Sequence, residues 1–175
     1  MAALCSTCGE IPHREYNMKL FRYLIVIVGM IGLLNPAVAA PAVSYGPDIG
    51  LERARQLAAL AAAEAERMQL RVAIAIVDTA GHLVYFEKAD DTQTASVEVA
   101  IAKARSASNF RRSTKVFEDA LNGGRTSLLG LPGAVPVEGG VPLVHMGKVI
   151  GAIGISGASS VEDGLIAAAA ANNIK

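Results

Sequence analysis

Cysteine is nearly absent from this chain: of 175 residues only Cys5 and Cys8 carry a thiol. Their C-x-x-C spacing invites a redox or zinc reading, but a zinc ribbon needs a second pair of ligands and none follows. Beyond Cys8 nothing can form a disulfide or act as a thiol nucleophile. An excess of one charge is missing too, with 16 Lys and Arg against 16 Asp and Glu, so the composition points to neither nucleic acid nor another polyanion. No 20-to-50-residue repeat implies a solenoid or propeller. No G-K-[ST] follows a glycine loop, which excludes a phosphate loop. Gly154-Ile155-Ser156-Gly157 fails as a nucleophile elbow, because Ala158 stands where G-x-S-x-G requires glycine.

What the chain does have is apolar residues, 52% of the total, and part of that excess is a leader. Lys19 and Arg22 give a positive start, Tyr23 to Leu34 form an uncharged run of twelve, and Ala37-Val38-Ala39 supplies an A-x-A cleavage site. This is the layout of a secretory signal peptide over 18–39. A run of that length rises only ~18 Å as helix, short of a ~30 Å hydrocarbon core, so no stable membrane anchor is expected. Residues 1–17, ahead of the natural start Met18, read as a non-native extension. Export would remove both cysteines and place the mature chain in the periplasm or outside the cell. Residues 40–50 read as a linker, and 51–175 as one domain of ordinary size.

Within that domain the central stretch is 139–157, GGVPLVHMGKVIGAIGISG. Its β-branched residues predict two strands, 141–145 and 149–156, joined by a tight turn at Met146-Gly147. Glycines at 151, 154 and 157 mark close approach of another backbone or of a ligand. Upstream, apolar positions at 54, 57, 58, 61, 65 and 68 predict a helix over 51–69 with one apolar stripe. A buried strand follows at 71–77. Asp78-Thr79-Ala80-Gly81 is turn chemistry, and 82–88 returns as a second strand. The span 95–111 reads as a helix whose face of Ala100, Lys103, Ala104 and Ala107 permits close packing on a sheet. A shorter helix covers 115–121, and an apolar Gly/Pro loop runs over 125–140, a length that is more often functional than idle. Ser160, with Asp163 three residues on, reads as the N-cap of a last helix over 161–171. The predicted fold is α+β, in α-β-β-α-α-β-β-α order, with helices over an antiparallel sheet of two hairpins.

In order and spacing these pieces resemble the GlcG/HbpS family, the haem-degrading domain family, which also forms the C-terminal domain of PduO-type proteins. The residues that carry the resemblance are Val77-Asp78 with Gly81, Leu83-Val84, Ser96, Ile101-Ala102-Lys103-Ala104, Ala107, and Arg112 with Thr114. Gly139-Gly140-Val141-Pro142, Gly147, Gly151 through Gly157 and Asp163 complete it. One corner departs: Lys88-Ala89-Asp90-Asp91 replaces the family's usual Arg-Met-Asp-Gly, losing a soft side chain and a planar cation.

The resemblance implies a sheet covered by helices, a homo-oligomer, haem or a related tetrapyrrole as ligand, and a role as an accessory or sensing module beside a sensor or transport protein. It also implies that Thr114 lies near the iron; the other reading of Thr114 is a cap for the helix from Lys115. Haem iron takes His, Met, Cys or Tyr. His145 and His82 are the candidate histidine ligands, one read also as an exposed hairpin-tip residue and the other as a surface residue. Met146, Tyr85, Tyr45 and Met68 complete the inventory. Lys103, Arg111 and Arg112 could meet propionates, or simply end a helix. Gly139, Gly140, Gly154 and Gly157 are candidate ligand-approach positions, the last two also as an anion cradle at a helix N-terminus. Two further readings are an isomerase- or lyase-type enzyme of small-molecule catabolism using Asp78, Thr114 or Asp163, and a protein-interaction module built on the apolar loop.

Overall fold

The computed structural model of the protein describes residues 43–174. The leader and the extension before it lie outside the described residues. Among those described, no helix is long and apolar enough to cross a membrane.

The first helix, α1 (Leu51–Arg67), buries Ala54, Leu57, Ala58, Ala61 and Ala65, as its stripe predicts. Strand β2 (Ala73–Val77) is buried along its whole length, between β3 (Leu83–Lys88) and β5 (Lys148–Ser156) and between helices on both faces. Alternation then divides its side chains. Ile74 and Ile76 join Ile153 and Ile155 under α1 and α4 (Ser160–Ala171). Ala73, Ala75 and Val77 join Ala152 under α2 (Ser96–Phe110). Between α2 and the last hairpin come α3 (Lys115–Asn122) and a 3-10 helix at Thr126–Gly130, followed by β4 (Gly140–His145).

The β4–β5 hairpin turns at Met146 and Gly147, both at positive φ, 49° and 74°. Two such residues make a type I′ turn, whose twist matches that of the flanking strands. The α+β class and the order of the main elements follow the sequence expectation. The sheet, however, is mixed rather than purely antiparallel. The stretch read as a linker contributes a short strand, β1 (Ser44–Tyr45), parallel to the start of β5. It is fastened from the side: the Tyr45 hydroxyl donates to the Ser108 carbonyl at 2.9 Å, and Arg111 Nη1 to the Val43 carbonyl at 2.9 Å. Ile49 is buried in the α1-side core.

The close approach signalled by Gly154 is that of α2. A Cβ at Gly154 would strike the Ala100 carbonyl oxygen and the Ala104 amide nitrogen, both helix backbone. Alanines 100, 104 and 107 face the sheet with no exposed surface, so along this stretch the helix meets it through methyl groups. We predict that Gly154→Ala lowers unfolding stability by about 1–3 kcal/mol or more through overpacking. Gly130→Ala, where a Cβ meets nothing within 4 Å, leaves it within about 0.5 kcal/mol. Urea unfolding midpoints of the two variants check this.

Candidate functional site

Two charged residues lie on apolar stripes. Lys103 shares the sheet-facing side of α2 with Ala100, Ala104 and Ala107, and Asp163 shares that of α4 with Ile166, Ala167 and Ala170. They meet: Lys103 Nζ lies 2.8 Å from Asp163 Oδ2, with side chains only 2% and 3% exposed. Nζ also donates to the Ile155 carbonyl at 3.1 Å, and the Ala158 amide donates to Asp163 Oδ1 at 3.1 Å. Burial pushes the Asp163 carboxyl above its ordinary 3.8, against the pull of the Lys103 hydrogen bond and charge and of the Ala158 amide.

Gly139 and Gly140 are threaded through this centre. A Cβ on Gly139 would lie 2.8 Å from Lys103 Nζ and 2.9 Å from Asp163 Cβ, and one on Gly140 would strike the Lys103 carbonyl oxygen. Thr114 closes the arrangement. Its amide donates to the Gly140 carbonyl at 3.0 Å, and the Gly140 amide donates back to Thr114 Oγ1 at 2.9 Å. The Thr114 side chain therefore does not cap α3. The cap of α4 is Ser159 with Glu162 in a capping box, rather than Ser160 with Asp163.

Lys103, Thr114, Gly139, Gly140 and Asp163, distant in sequence, thus form one buried cluster. Gly154 lies under α2, and a Cβ on Gly157 would strike the Arg71 carbonyl oxygen. Around the start of α4 the Ala158, Ser159 and Glu162 amides already donate to Asp163, Glu162 and Ser159.

Arg112, His145 and His82 lie at or near the surface. Arg112 is exposed, its guanidinium 5.9 Å over the Phe117 ring. His145 ends β4, half-buried beside the 88%-exposed Met146. His82 is 79% exposed and places Nδ1 3.2 Å from Asp78 Oδ2. The long loop is pinned at Val135, whose amide donates to Ser106 Oγ at 3.0 Å, and at Glu138, whose amide donates to Glu118. Leu129, Leu131 and Val137 on it stay exposed.

Among the described residues no three His, Cys, Asp or Glu converge to hold a metal ion. Haem makes a smaller demand: the macrocycle supplies the equatorial nitrogens, and the protein adds an axial donor oriented by a hydrogen bond to its far side. His82, with Nδ1 3.2 Å from Asp78 Oδ2, fits that demand.

The sequence presents Asp163 as a capping residue or an acid/base group, and its pairing with Lys103 is hidden behind that capping pattern. The missed signal was a pair of opposite charges, each on an otherwise apolar stripe.

The layers define an α+β sandwich with a mixed sheet between helices, clamped by a buried ammonium–carboxylate pair. The chain belongs to the family described as haem degrading protein HbpS-like, which it matches over residues 49–172. It is similar to Protein GlcG of Escherichia coli (strain K12), 40% identical over 93 residues, 53% of this chain and 69% of that protein. Among solved structures it resembles the PduOC:heme complex, with TM-score 0.66 and 30% identity over 73% of this chain and 97% of that one. HbpS is similar at TM-score 0.68 and 28% identity, covering 79% of this chain and 99% of that one.

Removing one member of a buried ion pair leaves the other uncompensated, which costs about 3–5 kcal/mol, whereas replacing both with apolar groups is often neutral. We therefore predict that Lys103→Met destabilises by about that amount and that Lys103→Met with Asp163→Leu recovers most of it. In the single variant burial acts on a carboxylate without its cation, raising its pKa further. A raised pKa stabilises the folded state most at low pH, and that contribution is lost as the pH climbs through it. The deficit of Lys103→Met is therefore full at neutral pH and narrows on acidification toward 3.8, as denaturant titrations at several pH values would show.

Proposed function

We propose that this protein is an exported haem- or tetrapyrrole-binding module with an accessory or sensing role, working as a homo-oligomer in the periplasm or outside the cell. The observation that carries this reading is the match to the HbpS-like family across 49–172, joined to 30% identity with a protein solved as a heme complex. The donor set supports it, since histidines at the surface suit reversible capture of a planar ligand.

Support for export comes from the leader alone: a basic start, a short apolar run and an A-x-A site. The acid–base enzyme reading draws less support. Asp163 is tied to Lys103, and the Thr114 hydroxyl accepts from the Gly140 amide, both out of contact with solvent.

Titration of the purified protein with haemin is expected to give a saturable Soret shift. A flat or non-saturable titration would sink the reading. Expressed from Met18, the protein is expected in the periplasmic or extracellular fraction with an intact mass corresponding to a chain that begins at Ala40. Recovery in the cytoplasm at full length would remove the export half.

A further inference from the structure

The β2–β3 turn is held by more groups than a connection of its length needs. Asp78 Oδ1 accepts from the Ala80 amide at 2.9 Å and the His82 amide at 2.8 Å, which suffices to shape the turn. Helix α2 adds Ser108 Oγ, which donates to the Asp78 carbonyl at 2.9 Å, and Arg105 Nε, which donates to the Gly81 carbonyl at 3.1 Å. From the segment before α1, Asp48 accepts from both the amide and the hydroxyl of Thr79. These contacts leave Asp78 Oδ2 free of turn duty, and it faces His82 Nδ1 at 3.2 Å.

The chemistry of that pair is specific. A carboxylate only accepts hydrogen bonds, so in neutral His82 the ring proton sits on Nδ1 and the lone pair on Nε2. With Nδ1 occupied and the side chain 79% exposed, Nε2 is the nitrogen offered to solvent. A carboxylate behind an imidazole is the outer-shell device that fixes tautomer and orientation at metal-ligating histidines and raises ligand basicity. Beside it, Leu83 is 45% exposed and offers apolar surface to a macrocycle. Arg105, itself exposed, has guanidinium N–H groups beyond the one donated to Gly81. No carboxylate is held to the ring of His145 among the described residues.

Resting on the haem-binding reading, we propose that His82 Nε2 is an axial ligand to haem iron and that Asp78 is the positioning residue that sets its tautomer. Arg105, bound to the same turn through Gly81, is the cation nearest in the fold to offer a carboxylated ligand a partner.

The experiment is haemin titration of the full protein and of three variants, with melting temperatures measured alongside. His82→Ala changes an exposed side chain; it is expected to keep its melting temperature, to lose the wild-type Soret position and to weaken binding by at least about tenfold. Asp78→Asn keeps an oxygen to accept the turn amides but points an N–H₂ donor at Nδ1, moving the ring proton to Nε2 and blocking ligation. It is expected to weaken haemin about 10- to 100-fold and to alter the Soret position, whereas a merely structural Asp78 would change melting and leave the spectrum of bound haem alone. His145→Ala is expected to bind as wild type. Unchanged binding and spectrum in His82→Ala, with a saturable wild type, would overturn this assignment and leave the haem reading standing. A wild type that fails to saturate would overturn both.

Discussion

Withdrawing an ammonium group from water costs several kcal/mol unless opposite charge and further acceptors meet it in good geometry. Lys103 satisfies that condition with one carboxylate and one carbonyl, 2.8 and 3.1 Å away, contributed by α4 and β5. Because the lysine comes from α2 on one face of the sheet and the aspartate from α4 in the other layer, the pair joins both layers at the edge where β4 begins. The chain must then pass this edge without side chains. Gly139 and Gly140 have no room for a Cβ there, and Thr114 is held by both amide and hydroxyl to Gly140. Five residues that carry the family resemblance are therefore explained by one electrostatic constraint and the steric space around it.

The second constraint is the depth at which α2 lies. With Gly154 beneath it and alanines along its face, the helix approaches the sheet until backbone meets backbone. Such packing tolerates no added volume, since interiors are filled to crystal-like density. It also explains the asymmetry of the sandwich. Leucine and isoleucine supply the bulk on the α1 and α4 side, among the alanines of those helices, while the α2 side is built almost wholly from alanine.

These features were unequally legible in the chain. The α1 stripe, the small-residue face of α2 and both hairpins could be read because burial recurs with the period of the element. The Met146-Gly147 turn could be read because a two-residue link between β-branched runs leaves few alternatives. The docking of Ser44–Tyr45 could not. A two-residue strand has no period, and what holds it is a tyrosine hydroxyl and an arginine reaching across more than sixty positions of sequence. Glycine spacing along β5 revealed close approach but not its partner, because a helix backbone and a ligand make the same demand on a Cβ. Asp78 was recognised as a turn former from its place before Ala80-Gly81. That its second oxygen reaches His82 depends on χ angles that sequence does not express.

Separating packing from ligand chemistry changes how the resemblance is read. Lys103, Thr114, Gly139, Gly140, Gly154 and Asp163 are among the residues that carry the family resemblance, and here they are buried and held by contacts within the fold. A side chain whose polar atoms already have partners inside the fold can accept a new ligand only by giving those partners up, at the desolvation cost of whatever is left unpaired. Surface donors face no such penalty: an exposed imidazole exchanges water for iron and keeps its carboxylate. Ligand capture is therefore cheapest at positions outside the shared core. The buried cluster maintains the sandwich, while groups on its rim, such as the Asp78–His82 pair, can take up ligand chemistry without disturbing it.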